Sequence, residues 1–294
     1  MSFFIRTTLA GLLVIGGGLP TLAQKPPSKV LSITVEPSTL TLYDGRDTRS
    51  VLVTGKMADG NTIDLSPLAK FQAVGNWVKV DEEGTISPLK AGKTLITITA
   101  EGKTTTLPVT VKSAAQPPVS FVRDVMPVMS KVGCNAGTCH GSAKGKNGFK
   151  LSLRGYDPEA DFFAITRQSR GRRVVADDPG RSLILTKPTG AIPHKGGVRF
   201  AEDSLEYKVI AEWIAQGQAG PSGDDPRITR LEILPEASRL VAGVEQQMIV
   251  RAHFANGRIE DVSRWAKFTA TNHTVCTVDD RGLVKVTGSG EGAV

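Results

Sequence analysis

The 294-residue sequence has few of the residues that usually mark a catalytic or metal site, with only three cysteines and four histidines. It also has no G-x-S-x-G, H-E-x-x-H or P-loop motif, so it predicts no hydrolase, metalloprotease or nucleotide-binding constellation. The net charge of +7 is too small to indicate a nucleic-acid-binding surface, and no RNP or helix-turn-helix pattern supports one. We therefore expect no nucleic-acid partner, and whether the chain is an enzyme stays open.

Long apolar runs are missing except near the N-terminus. Residues 1–23 have an early positive charge at Arg6, then an apolar stretch, then the small-residue sequence TLA. This three-part pattern is typical of a secretory signal peptide cleaved near Ala23. The alternative is a membrane anchor, but the apolar stretch is shorter than the ~20 residues that a spanning helix needs. The pattern predicts an exported protein, periplasmic, cell-surface or secreted, with no membrane span after cleavage.

Residues 30–112 and 227–294 are two copies of one strand-and-turn pattern. ADGNTIDLS in the first copy matches ANGRIEDVS in the second, and VDEEGTIS matches VDDRGLVK, always at an offset of 197 or 198 residues. Short alternating strands separated by Asp-Gly, Asn-Gly and Glu-Gly turns predict two all-β sandwiches. The second copy stops before the counterparts of the last strands of the first copy, so we expect an incomplete second sandwich.

The run from a hydrophobic-x-Pro start to a D-x-x-G-x-V turn, present in both copies, resembles the bacterial Ig-like domains of group 2 (Big-2). The resemblance implies Ig-like β-sandwiches that act as spacers or as adhesion modules, with a cell-surface or extracellular polymer as partner. The same fold with no binding role of its own is the alternative.

Between the two copies the sequence pattern becomes helical. Residues 118–133 have apolar side chains at helical spacing, although Pro127 limits or kinks such a helix. Residues 204–217 predict an amphipathic helix whose N-cap is Ser204. We therefore predict a mainly α domain over residues 118–220.

The stretch GCNAGTCHGS, residues 133–142, places two of the three cysteines next to a histidine. Covalent attachment of haem c uses two thiols and an adjacent histidine, usually as C-x-x-C-H. Here four residues separate Cys134 from Cys139, and two of them are small enough to let the loop bulge while both sulfurs reach the porphyrin. The pattern predicts covalent haem at Cys134 and Cys139, with His140 as the proximal iron ligand.

Other interpretations of these residues stay open. A Cys134–Cys139 disulfide is ordinary in an exported protein, but it leaves His140 without a role. A structural zinc site needs four ligands, and only three side chains are close in sequence. A thioredoxin-like pair has the spacing C-x-x-C in a βαβ unit, which this sequence does not have.

The order of a helix, the Cys-Cys-His segment, a long loop and a second helix carrying Tyr207 and Trp213 resembles a class I cytochrome c. More closely, residues 118–220 resemble the cytochrome-like domains of large secreted bacterial proteins, which also carry group 2 Ig-like domains and C-terminal domains of unknown function. The resemblance implies one covalent haem c, electron transfer and an unidentified redox partner protein.

A second axial ligand for the iron is sought in the later loop, where cytochrome-like domains usually carry Met-Pro. This sequence has GAIPHKGG there, with Ile192 in the place of methionine and His194 two residues on. His194 is the candidate sixth ligand, and bis-histidine ligation suits electron transfer at a lower potential than His/Met ligation. If His194 is only a loop residue, an open sixth position favours a haem-dependent enzyme or sensor.

The sequence thus predicts an exported multidomain protein in which two Ig-like sandwiches flank a mainly α cytochrome c-like domain. The loop 141–173 has eight basic and three acidic residues, which favours pairing with haem propionates or with an acidic redox partner. The alternative function is a haem-free surface adhesion or scaffold protein with a Cys134–Cys139 disulfide.

Overall fold

A computed structural model describes residues 29–294. The signal peptide predicted over residues 1–23 lies outside the described residues. Of the described residues, 29% are in strands and 19% in helices. The strands lie at the two ends of the described chain and the α-helices between them.

Nine strands form the first β region. They are β1 (Val30–Glu36), β2 (Leu40–Leu42), β3 (Leu52–Met57), β4 (Thr62–Asp64), β5 (Lys70–Ala73), β6 (Val78–Val80), β7 (Ile86–Pro88), β8 (Gly92–Ala100) and β9 (Lys103–Val111). One sheet has the order β1-β3-β4, a second has the order β2-β9-β8-β5 with β2 parallel to β9, and β6 pairs with β7. Apolar side chains from both larger sheets, such as Val53 and Ile96, share one core, because alternate residues of each strand point inward.

Six strands form the second β region. They are β10 (Ile228–Leu234), β11 (Glu245–Gln247), β12 (Ile249–Phe254), β13 (Ile259–Asp261), β14 (Cys276–Val278) and β15 (Leu283–Val286). Strands β10, β12, β13 and β14 begin 197 or 198 residues after β1, β3, β4 and β6. The turns repeat as well, since the Ser66 hydroxyl accepts the Val53 N–H at 2.9 Å and the Ser263 hydroxyl accepts the Val250 N–H at 2.8 Å. The sequence repeat therefore extends to individual hydrogen bonds.

The segment between the β regions contains four α-helices. They are α1 (Met126–Lys131), α2 (Pro158–Thr166), α3 (Leu183–Thr186) and α4 (Leu205–Ala215), and a π-helical turn at Phe121–Val125 leads into α1. Their lengths are six, nine, four and eleven residues, and turns and short 3₁₀ segments make up much of the rest.

The prediction of a mainly α, cytochrome c-like domain for residues 118–220 is wrong, because the helices are too few and too short and the described chain as a whole is richer in strand than in helix. Two physical causes are evident. Pro127 stands in the first turn of α1 and has no N–H to donate, so the helical run changes there from the π-helical turn at Phe121–Val125 to a short α-helix that ends at Lys131. The connection from α1 to α2 contains Gly145 and Gly148, both at positive φ, and such residues favour turns over helix.

Helix α4 matches its sequence pattern closely. The Ser204 hydroxyl caps its first turn by accepting the Tyr207 N–H at 3.2 Å. Its apolar face packs into a core that also includes Phe121 and Ile165, with Trp213 fully buried. Among the residues that the structure describes, no helix is both long and apolar enough to cross a membrane.

Polar contacts join the three regions. Arg258 of the second β region pairs with Asp44 of the first at 2.6 Å. The backbone N–H of Gln247 donates to the Asp64 carboxylate at 2.6 Å. Arg46 binds the carboxylate of Glu212 on α4 through both guanidinium nitrogens, one of them at 3.1 Å. These contacts connect both β regions to each other and the first of them to the helical segment.

Candidate functional site

The cysteine-histidine segment folds as a closed turn at the end of α1. The His140 N–H donates to the Cys134 carbonyl at 3.0 Å, and the Cys139 N–H donates to the Ala136 carbonyl at 2.9 Å. These bonds take up the four residues between the cysteines in a local loop, so the wider spacing still brings Cys134, Cys139 and His140 to one cavity. Both cysteines in this turn are free thiols in the structure.

Gly141 is required by the packing of this turn. A Cβ atom at position 141 would lie 2.0 Å from the Asn135 carbonyl oxygen, far inside van der Waals contact. Asn135 is itself buried, and its side-chain amide donates to the Ser130 hydroxyl at 2.8 Å. The backbone therefore approaches itself here more closely than a side chain would permit.

His140 is oriented by Phe149 in the following loop. The Nδ1 atom of His140 lies 2.9 Å from the Phe149 carbonyl oxygen, so Nδ1 carries the proton and Nε2 is the nitrogen left for a ligand. The two rings also pack, with centroids 4.5 Å apart. Burial lowers the pKa of His140, which favours the neutral imidazole that binds metal ions.

His194 is held in the same way by its own loop. Its Nδ1 atom lies 2.9 Å from the Gly197 carbonyl oxygen, which again leaves Nε2 for a ligand. A Cβ atom at Gly196 would lie 2.7 Å from the His194 ring. Gly196 thus provides the space in which the ring sits.

The two histidines face the same cavity. Their ring centroids are 6.4 Å apart and their planes differ by 8°. Two imidazoles bound to one metal ion through nitrogen, at about 2.0–2.1 Å each as on zinc, have centroids roughly 6 Å apart. The centroid separation of His140 and His194 is therefore close to that of two imidazoles that share one metal ion.

The cavity has a volume of about 1000 Å³, at the upper end of the range for small-molecule and cofactor sites. Its apolar wall is formed by Met129, Phe149, Leu183, Ile184, Pro188 and Pro193. Its charged wall is entirely basic among the described residues, and is formed by Lys146, Arg172, Arg173, Lys187, Lys195 and Arg199. An apolar slot bordered by cations suits a flat apolar ligand that carries carboxylates.

The two thiols differ in their surroundings. Burial raises the pKa of the Cys134 thiol to about 11, although the positive charge of Arg199 opposes the rise. The Cys139 sulfur lies 3.5 Å from a guanidinium nitrogen of Arg199. Arg199 therefore lies against the turn that carries the two cysteines and also lines the cavity.

Sequence reasoning did not identify Phe149, Arg199 or Gly196 as parts of this site. Phe149 and Gly196 have no chemical signature, and Arg199 reaches Cys139 across 60 residues of sequence. The structure brings together all four predicted residues, Cys134, Cys139, His140 and His194. No group of three or more His, Cys, Asp or Glu side chains placed to hold a metal ion occurs in residues 29–294.

The remaining cysteine and histidines lie elsewhere. Cys276 is buried in the small core of the second β region with Ala270 and Val284. The Nε2 atom of His253 lies 3.0 Å from the Glu232 carboxylate in the same region, and His273 is exposed there.

No family model matches the sequence, and no curated protein matches it. Among solved structures, domains 4 and 5 of the S-layer protein SbsC are 22% identical in sequence. The match covers 29% of this chain and 53% of the SbsC chain, with a TM-score of 0.25. Domains 1–6 of the surface layer protein SbsC are 10% identical in sequence. That match covers 90% of this chain and 26% of the SbsC chain, with a TM-score of 0.24. Similarities at these TM-scores carry no argument about fold or function.

Proposed function

We propose that the protein is exported and that its central cavity binds one haem group covalently for electron transfer, with the β regions acting as spacers or adhesion modules. The observation that carries the proposal is that His140 and His194 line one cavity with nearly parallel rings, at a centroid distance of 6.4 Å. Each ring is fixed through Nδ1 by a backbone carbonyl, as is usual for metal-ligating histidines. The signal-peptide pattern of residues 1–23 supports export.

The residues around the cavity have separate roles in this proposal. Cys134 and Cys139 would hold the haem through thioether links, and His140 and His194 would bind its iron. Basic side chains of the cavity wall would pair with the propionates, and among them Arg199 is less exposed than Arg172 and Lys195. Bound haem supplies reversible one-electron chemistry, while the chain supplies ligation, burial and charge.

Replacement of the axial ligands tests the proposal. The full chain is produced in a periplasm that contains the haem-attachment machinery, and its visible spectrum is recorded. We expect a low-spin bis-histidine spectrum that His194→Ala converts to high spin, while the exposed His273→Ala leaves it unchanged. A low-spin spectrum that survives His194→Ala would remove His194 from the iron.

A second candidate is a haem-free surface scaffold. The observation that favours it is the set of polar contacts joining the regions, such as Arg258 to Asp44 and Arg46 to Glu212, which suits a rigid extracellular spacer. One version of this function has a Cys134–Cys139 disulfide, which would join two cysteines that are free thiols in the structure. Absence of haem from the purified exported protein would favour the scaffold.

A further inference from the structure

Arg173 is a buried cation whose hydrogen bonds go to backbone carbonyls. Only 5% of the surface of Arg173 is exposed. Its guanidinium donates to the carbonyl oxygens of Ala164 at 2.8 Å, Gln168 at 3.1 Å and Gly148 at 3.1 Å. Arg173 thus ties the end of α2 and the turn after it to the loop that carries Phe149.

The same guanidinium stacks on Phe149. The central carbon of the Arg173 guanidinium lies 4.3 Å from the centroid of the Phe149 ring. Phe149 also contacts His140. The centroids of the two rings are 4.5 Å apart, and the Nδ1 atom of His140 lies 2.9 Å from the Phe149 carbonyl oxygen. Arg173 therefore contacts the Phe149 ring and the carbonyl of the neighbouring Gly148. Phe149 in turn contacts the His140 ring through its own ring and accepts the hydrogen bond from Nδ1 through its own carbonyl.

We propose that Arg173 is a positioning residue for His140. By holding Phe149 in place, Arg173 keeps the proton of the His140 ring on Nδ1 and keeps the Nε2 atom toward the cavity. The consequence for haem ligation rests on the proposed function, whereas the orientation of His140 does not. Groups that orient a ligating histidine from behind fix its tautomer, and their loss typically costs about 10–100-fold in metal affinity.

The orientation is tested without haem, by nitrogen–proton NMR of the histidine rings. The variant is Arg173→Lys, which keeps the charge but lacks the planar fork that binds several carbonyls and stacks on an aromatic ring. The control is Arg167→Lys, an exposed arginine at the end of α2 that does not line the cavity. We expect a single Nδ1–H tautomer for His140 in the wild type and the control, and a mixture in Arg173→Lys, with His194 unchanged. A folded Arg173→Lys protein with wild-type His140 signals would overturn the inference.

Phe149→Leu provides a second variant if Arg173→Lys does not fold. It removes both ring contacts but keeps the backbone carbonyl and the hydrogen bonds of Arg173. We expect the same tautomer mixing at His140. An unchanged single tautomer in Phe149→Leu would contradict the role given to the ring.

Cyanide binding reports the effect on the iron. In protein that carries haem, we expect the apparent affinity for cyanide, which displaces a histidine from the iron, to rise about 10-fold in Arg173→Lys and not in Arg167→Lys. Equal affinities in both variants would contradict the inference at the metal. If the wild type carries no haem, the proposed function fails, and the NMR measurement still decides the positioning.

Discussion

At the residue scale, the site depends on backbone contacts that a spacing motif does not describe. The bond from the His140 N–H to the Cys134 carbonyl, at 3.0 Å, closes a turn around the four intervening residues. Gly141, the next residue, supplies the close approach to Asn135 that this turn needs. The four-residue gap between the cysteines is therefore compatible with a compact turn that keeps Cys134, Cys139 and His140 at one cavity.

Gly141→Ala tests this dependence. Because the new Cβ atom would lie 2.0 Å from the Asn135 carbonyl oxygen, the loop must shift, and we expect the free energy of unfolding to fall by about 2 kcal/mol. Urea unfolding measures the change. Gly223→Ala is the matched control, since a Cβ atom there has no neighbour within 4 Å. Equal stability of the two variants would show that the turn does not need glycine.

At the element scale, local patterns predicted the structure better than the overall class did. Helix α4 follows from Ser204 as cap and from one apolar face, both of which are local signals. The two sets of strands follow from short alternating runs and their turns. The class of the middle segment was wrong because two helical patterns were extended to a hundred residues, although the connection between α1 and α2 is rich in glycine turns.

The residues of the site also divide into those with a local sequence signal and those without one. Cys134, Cys139, His140 and His194 carry recognisable chemistry, so their types and loop positions pointed to them. Phe149 acts through a ring face and a carbonyl oxygen, and the role of Arg173 depends on four contacts at 5 to 25 residues of separation. Such roles emerge only when the chain is folded, because neither residue type is specific to a metal site.

At the scale of the whole molecule, the regions meet at a junction of buried charges. Asp47 pairs with Arg49 at 2.9 Å, and Arg49 also reaches the Ile259 carbonyl of the second β region. Burial raises the pKa of Asp47 to about 6, although Arg49 and Arg258 favour its ionised form and Glu260 disfavours it. The ionised form of this carboxyl is therefore less stable in the folded chain than in the unfolded chain.

The junction makes stability depend on pH in a defined direction. The Asp47 carboxyl releases its proton near pH 4 when unfolded and near pH 6 when folded. The folded state thus binds more protons between these values, so the free energy of unfolding falls as pH rises through this window, by about 2 kcal/mol. We expect Asp47→Asn to remove that slope, measured by urea unfolding at pH 4.5 and 6.5, whereas the exposed Asp203→Asn retains it. A wild-type slope in Asp47→Asn would exclude Asp47 as its source.

The central claim is that the cavity holds haem linked to the chain. The most direct measurement is the intact mass of the exported protein after denaturation, followed by mass mapping of the peptide that contains residues 133–142. We expect one added haem, located on that peptide and absent from the Cys134→Ser, Cys139→Ser double variant. A denatured protein with no added mass, produced alongside a control cytochrome that is fully loaded, would contradict it.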